Sequence, residues 1–280
     1  MSDFILANEQ AIRLLGFVSV LSLMVVWEIL ATRRHQIIKR RQRWPANLAI
    51  VVLGTLAVRL LFPLAAVGAS SYASEQGWGL LNLVSMPSWM TVVLAIIALD
   101  LVIYFQHRIF HAVPWFWRLH RMHHADLEFD VTTGLRFHPL EIVLSVAIKM
   151  SVVVLIGAPV LAVVVFEVLL NATSLFNHGN IRLPQKIDRL FRLILVTPDM
   201  HRVHHSAIQR ETDSNFGFSV PWWGRLFGTY RAQPEEGHLG MTIGIEDFRT
   251  QHDLRLDQML MQPFRHTDPR FDPISSRHDT

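Results

Sequence analysis

Eight histidines stand in three short clusters: His107-Arg-Ile-Phe-His111, His120-Arg-Met-His123-His124 and His201-Arg-Val-His204-His205. On a helix, residues i, i+3 and i+4 share a face. His107 can therefore join His111 on one metal ion, and His120 can join His123 or His124. Adjacent residues diverge by roughly 100° around the axis, at ~3.6 residues per turn, so a pair such as His123-His124 can serve two ions. The clusters supply 2 + 3 + 3 = 8 imidazoles, about four for each of two ions, and predict a dinuclear site. A polyhistidine storage tract would be contiguous and disordered, whereas these clusters are similarly built and separated by 8 and 76 residues. Imidazole suits zinc, copper, iron and nickel, so ligand type leaves the metal open.

Two more histidines lie near the clusters: His138 in Arg136-Phe137-His138-Pro139 and His178 in Asn177-His178-Gly179-Asn180. Both are expected as ligands, the alternative for each being an interfacial histidine hydrogen-bonded to backbone. Metal-bound imidazoles donate their other N–H to a carboxylate or carbonyl. Asp100, Asp126, Asp199, Asp213 and Asn215 are close enough in sequence to do this. Asp100 is the sharpest case, because an acid inside an apolar stretch is costly and functional by default. It lies seven residues before His107 on the same helix face.

The elements that must hold these residues are apolar. Of the 280 residues, 51% are hydrophobic and 18% charged, and there is no cysteine; mean hydropathy is +0.29. A typical soluble domain is ~25% charged, so the composition points to a membrane. The missing cysteines exclude disulfides, thiolate-ligated zinc, iron–sulfur clusters and a cysteine nucleophile. Of the 15 histidines, ten fall between residues 107 and 205.

A spanning helix needs ~20 mostly apolar residues. Residues 12–31, 46–68 and 88–106 qualify, the second interrupted by Arg59 and Pro63, with a short interfacial loop predicted over 69–87. The first is too long, and too closely followed by charge, for a cleaved signal peptide. The run Arg33, Arg34, Lys39, Arg40, Arg41, Arg43 follows it, which places that loop in the cytoplasm by the positive-inside rule and weighs against a nucleic-acid patch. Three crossings then put residue 107 in the cytoplasm. Residues 140–176 would make one helix ~55 Å long, so a hairpin turning at Gly157-Ala158-Pro159 is expected, returning both flanking histidine segments to one face. Lys149, Glu167 and Arg59 read as snorkelling or packing within the bundle. The predicted fold is all-α: an integral membrane helical bundle with a cytoplasmic helical cap holding a histidine-rich dinuclear metal site. Its expected divisions are an N-terminal membrane region (1–87), a catalytic domain (88–235) and a cytoplasmic tail (236–280) that frays after Pro263.

These residues resemble the membrane-bound fatty acid hydroxylase superfamily, also called the sterol desaturase family, whose signature is HxxxH, HxxHH and HxxHH. The flanking residues are similar too: Asp100 and Tyr104, Arg136-Phe137-His138-Pro139-Leu140-Glu141, Thr197-Pro198-Asp199-Met200, Asp213-Ser214-Asn215-Phe216-Gly217 and Leu226-Phe227-Gly228-Thr229-Tyr230. The likeness covers about residues 90–235. One departure is Gly224 after Trp223, where family members often have Asp.

The resemblance implies two iron ions, cycling between Fe2+ and Fe3+, that activate O2 to hydroxylate or desaturate a C–H bond of a membrane lipid, a sterol, fatty acyl chain or ether lipid. The histidines would be ligands, and none a general base. With no fused cytochrome b5 module expected, electrons would come from a separate ferredoxin, cytochrome or reductase. The stretch around the third cluster also resembles the alkylglycerol monooxygenase branch, which uses a reduced pterin. The competing reading is a non-redox metal protein of the membrane, a zinc hydrolase or metal transporter. A transporter needs ligands near the midplane, whereas these cluster outside the predicted spans, and a zinc hydrolase typically uses three. A metal-stabilised scaffold without catalysis is a third reading. With no C-terminal retention address, a bacterial cytoplasmic membrane is expected.

Overall fold

The computed structural model describes residues 2–63 and 65–265. Among them there is no strand, only the isolated bridges Thr32–Ile181 and Ser206–Ile243. Five segments are long and apolar enough to cross a membrane: Ala7–Leu30, Arg40–Leu83, Ser88–Ala112, Pro139–Ile156 and Val160–Asn177. The helices are α1 (Ser2–Leu30), α2 (Arg40–Leu61), α3 (Ala65–Glu75), α4 (Ser88–Ala112), α5 (Pro114–His124), α6 (Pro139–Ile156), α7 (Val160–Asn177), α8 (Gln185–Phe191) and α9 (Pro198–His204), followed by short turns.

The hairpin forms where expected. Gly157 ends α6 in the left-handed region (φ 68°), a conformation glycine adopts at no steric cost. Pro159 then caps α7. Both glycines of the contact are needed for close approach: a Cβ on Gly79 would sit 2.1 Å from the Gly157 nitrogen, and one on Gly157 would sit 2.7 Å from the Trp78 carbonyl.

Boundaries differ from expectation at several places. Helix α4 continues past residue 106 to Ala112, so His107 and His111 lie on the spanning helix itself rather than beyond it. Nothing in Phe105–His111 breaks a helix, and the bundle buries that face. The second span ends at Leu61, just before Pro63, which cannot donate to the helix ladder; it starts earlier, at Arg40. Residues 69–75, predicted as loop, belong to α3, whose Ala66, Ser70 and Ala73 face is buried. Its Ser70 hydroxyl donates to the Ala158 carbonyl at the hairpin tip, 2.6 Å away.

Helix α1 packs on α7 and α2 on α6, with α4 against both α6 and α7; Arg40 at the start of α2 reaches Glu28 of α1 at 3.2 Å. Lys149 and Arg13 both pair with Glu167, the latter at 2.8 Å, tying α1, α6 and α7 together as packing charges. At the end of α1, buried Glu28 accepts from the Val131 and Asn180 backbone N–H groups at 2.7 and 2.8 Å. Beneath, Arg43 is fully buried and bridges Asp126 (2.6 Å) and Asp130 (2.7 Å). Residues 236–265 pack on this cap: Met241 and Ile243 against Phe129, Ile245 and Phe248 against Trp117, and Met259 against Ile50 and Met122. The frayed tail expected after Pro263 lies, from residue 266, outside the described residues.

Candidate metal centre

Nine histidines converge where α4, α5, α7 and α9 end, none more than 6% exposed. One ring nitrogen from each of His107, His111, His120, His124 and His204 lies within 4.8 Å of the others, and His123, His178, His201 and His205 form a second such group that could hold an ion. The adjacent pairs split as ~100° of helical rotation requires: His123 and His124 serve different groups, as do His204 and His205. The eight clustered histidines divide five to three, and His178 brings the second group to four.

Hydrogen bonds on the opposite ring nitrogens fix the tautomers. His107 Nδ1–H donates to the Phe216 carbonyl (2.8 Å), His204 Nδ1–H to Ser214 (2.7 Å) and His178 Nδ1–H to Ser174 (2.7 Å). A neutral imidazole that donates at Nδ1 carries a lone pair at Nε2. Yet His107 Nε2 faces His204 Nε2 at 3.0 Å, and His178 Nε2 faces His201 and His123 Nε2 at 3.1 and 3.2 Å. At the His107–His204 contact two lone pairs face each other, and they repel unless a cation lies between them. His111 Nε2, His120 Nε2 and both ring nitrogens of His124 and His205 are buried without a protein partner. The donor set thus fits two divalent metal ions held by imidazole.

The electrostatics agree. Burial first, and then neighbouring imidazoles, drive His123, His124, His201 and His205 well below the usual histidine range. Burial likewise takes His178 down to about 4 and His204 to about 3. All are neutral, the form that binds metal. Because an unfolded histidine titrates near ~6.5, protons favour the unfolded chain as pH falls below that value. The folded protein should therefore hold its full stability above about 6.5 and lose it progressively down to about 4, releasing metal as it does. Thermal unfolding in detergent should show the midpoint falling between pH 7.5 and 5; a constant midpoint would contradict this.

Residues 213–216 orient three imidazoles of the first group. Asp213 Oδ1 accepts from His111 Nδ1 at 3.1 Å, and the Ser214 and Phe216 carbonyls hold His204 and His107. Asn215 sits between them with φ 51°, a conformation Asn tolerates. Its Nδ2 donates to the Met200 and Arg231 carbonyls at 3.0 and 2.8 Å, so it fixes the backbone and not an imidazole directly.

The other acids do not touch the ligands. Asp100 accepts from Trp223 Nε1 (2.8 Å), joining α4 to the turn Trp222–Leu226. Asp126 takes Arg43 and the Thr133 hydroxyl (2.9 Å). Burial alone would raise the Asp126 carboxyl, but Arg43 outweighs it and holds it low. Asp199 pairs with Arg33 (3.0 Å) and Arg202; these outweigh burial and bring it to about 2. His138 is not brought into either group. It caps α6, with Nδ1 accepting from the Leu140 N–H (3.2 Å) and Nε2 donating to the Leu260 carbonyl (3.3 Å), which uses both ring nitrogens.

Sequence reasoning missed Glu141 as an orienting group. Its Oε1 accepts from His120 Nδ1 at 2.6 Å, across 21 residues, and Oε2 has no partner. Its only signal was its place after Phe137-His138-Pro139. Glu141→Gln keeps an acceptor but removes the charge that strengthens His120 as a ligand, so metal affinity should fall ~10–100-fold. Chelator competition measures this; an unchanged affinity would show that the pair does not support the metal.

A cavity of about 280 Å³ lies over the first group, bounded by His107, His120 and Glu141 and otherwise mostly apolar. Phe137, in its wall, lies flat on His123 (4.4 Å between ring centres, 12°). Gly134, also in the wall, has no room for a side chain: a Cβ there would stand 2.9 Å from His178 Nδ1.

Comparison with known proteins adds to this geometry. Residues 92–229 match the model of the family described as fatty acid hydroxylase. The chain is 28% identical over 159 residues to an ornithine lipid hydroxylase, OlsE, of Rhizobium tropici (56% of this chain, 47% of that one). It is also 28% identical over 159 residues to the alkylglycerol monooxygenase of Homo sapiens (55% and 34%). The same identity holds over 178 residues to the Xenopus tropicalis alkylglycerol monooxygenase (61% and 38%). The chain spans less than half the length of these relatives. No solved structure matches.

Proposed function

We propose that this chain, which belongs to the fatty acid hydroxylase family through its residues 92–229, is a diiron, O2-dependent hydroxylase of a membrane lipid. The observation that carries the proposal is the pair of buried imidazole groups, five and four, with a mostly apolar cavity over the first of them. Hydroxylase and monooxygenase are the activities that the relatives' names give, and we favour hydroxylation over desaturation for that reason. Nine imidazoles exceed what a zinc hydrolase typically uses, and their burial at the helix ends suits a fixed centre better than a transport path.

His107, His111, His120, His124 and His204 would hold one iron, and His123, His178, His201 and His205 the other. When bound, such a pair supplies the O2 activation and C–H oxidation that no side chain can perform. The net reaction is RH + O2 + 2 e⁻ + 2 H⁺ → ROH + H2O. The chain's own part is placement. Asp213, Glu141 and the carbonyls of residues 214 and 216 keep each ring nitrogen aimed inward. The apolar walls bring an alkyl chain to the His107–His120 floor and exclude water, which protects a reactive centre from side reactions. The electrons would come from a separate ferredoxin, cytochrome or reductase, or from a reduced pterin. By the positive-inside rule the histidine face would be cytoplasmic, and we place the protein in a bacterial inner membrane.

The test uses iron-loaded protein in nanodiscs with total membrane lipid, a chemical reductant and 18O2. One 18O atom per product lipid is expected, with O2 uptake that depends on lipid. Oxygen uptake without labelled lipid, or none at all, would overturn the reading.

A further inference from the structure

Outside the spanning segments, six large apolar side chains are exposed on two pieces of chain that pack together. Leu190, Leu193 and Ile194 stand in and just past α8, and Trp222, Leu226 and Phe227 stand in the turn beside it. Leu190 and Leu226 are 62% and 69% exposed. Trp222 Nε1 donates to the Leu193 carbonyl (2.7 Å), Arg225 to the Arg192 carbonyl (2.6 Å) and the Val196 N–H to the Ser219 carbonyl (3.0 Å). This surface lies well away from the end of the bundle. Phe216 is held at the level of His107, but the chain then runs back along α7, where Asn177 donates to the Phe218 carbonyl (2.9 Å) and Thr173 meets Ser219 (3.3 Å). Trp223 Nε1 next reaches Asp100, twelve residues from either end of α4, or ~18 Å at ~1.5 Å per residue. The return passes Thr229, whose hydroxyl meets Tyr104 (2.9 Å) and whose carbonyl accepts from the Asn215 N–H (2.8 Å). Residues 216–229 thus form a loop that descends to the middle of a spanning helix and closes on Asn215.

Backbone coverage suits lipid at that depth. Irregular backbone in a membrane needs its polar groups satisfied by protein, and the carbonyls freed at a helix end are the ones most exposed to this demand. Just past α8, the Arg192 and Leu193 carbonyls take their donors from Arg225 and Trp222. The surface is also continuous with one that already faces the bilayer. Phe227 lies against Phe105 (5.0 Å between ring centres), and Phe105 and Ile109 are exposed on the spanning helix α4. Charge supplies the rim. Arg182, Lys186 and Arg189 are exposed in and just before α8, while the one acid of that stretch, Asp188, is taken by Arg192 (2.7 Å). An apolar face bordered by Lys and Arg is the pattern of chain lying in a membrane interface, and basic side chains there attract anionic headgroups.

We propose that residues 190–194 and 222–227 form a further membrane element, a re-entrant wedge beside α4 immersed in the acyl region of the leaflet on the histidine side, with Arg182, Lys186 and Arg189 seated on anionic phospholipid headgroups. The partner of this surface is the bilayer itself. Because the loop opens and closes on Asn215, whose neighbours orient His107, His111 and His204, the bilayer contact sets the height of the histidine groups over the membrane.

The chain has no cysteine, so single-cysteine variants take one nitroxide label each. Leu190→Cys and Leu226→Cys are compared in nanodiscs of phosphatidylcholine and phosphatidylglycerol with Leu94→Cys on α4, a lipid reference, and Glu246→Cys on the cap, a water reference. Power saturation with O2 and with a nickel chelate reports depth. Labels at 190 and 226 should match Leu94→Cys in favouring O2. Adding Lys186→Gln/Arg189→Gln, or using phosphatidylcholine alone, should raise nickel-chelate access at 190 several-fold. Access equal to that of Glu246→Cys in the parent would overturn the wedge. Shielding from both reagents would also overturn it, by showing protein such as a second copy on this face. No response to headgroup charge would overturn the anionic seat. If a labelled variant does not fold, brominated-lipid quenching of Trp222, taken as the difference between the parent and Trp222→Phe, decides the immersion. None of these readouts depends on iron or turnover, so the wedge and the oxidase reading stand or fall separately.

Discussion

Alanine at His123 should cut bound iron from about two per chain to about one and lower O2-dependent turnover by more than about a hundredfold, beyond the ~10–100-fold typical when only an orienting partner is lost. His123 is the member of the second group that α5 supplies; its Nε2 stands 3.2 Å from His178 Nε2, and Phe137 covers its face. Removal leaves three imidazoles, two of them from α9 and its cap. His138→Ala is the informative companion, because His138 belongs to the same surrounding motif but caps a helix. That variant should keep both irons and lose only the ~0.5–2 kcal/mol of a helix cap. Metal analysis of the two variants side by side separates ligand from cap. Equal iron loss in both would contradict the assignment.

The second large effect is on folding. Arg43 is wholly enclosed and holds Asp126 through two bonds (2.7 and 2.6 Å) and Asp130 through a third (2.7 Å). Removing one partner of a buried ion pair strands the other charge and typically costs ~3–5 kcal/mol. Arg43→Met strands two carboxylates at once, in the loop between His124 and Gly134. It should therefore unfold the cap at markedly lower temperature, measured by thermal melting in detergent. Arg43→Met/Asp126→Asn/Asp130→Asn should recover much of the loss, since amides need no counter-charge. A single variant as stable as the parent would show that the network contributes little.

The metal groups were legible because ligand geometry is local. The spacing of His120, His123 and His124 on one helix determines which rings can meet, and the i, i+1 split between two ions follows from helical rotation alone. His178 was reachable because the hairpin returns its two ends to one face, a parity argument that needs only the Gly157–Pro159 break. The orienting shell was less legible, because it depends on contacts across the fold. Asp100, Asp126 and Asp199 are near the clusters in sequence, yet each is claimed by a Trp or Arg from a distant element. Glu141 faces His120 only because α6 packs beside α5. Asn215 acts through its backbone neighbours, which no spacing rule shows. Helix α4 runs on past residue 106 because His107 and His111, which read in the sequence as the start of a polar segment, are buried among other imidazoles.

The central claim is that nine buried imidazoles form two metal sites and that both take iron. It is tested most directly by metal analysis of the wild-type protein purified from iron-replete cells, with Mössbauer spectroscopy of a 57Fe-grown sample. About two irons per chain, in a spectrum showing a coupled pair, is the predicted result. Less than one metal ion per chain, or a stoichiometric complement of zinc, would contradict it.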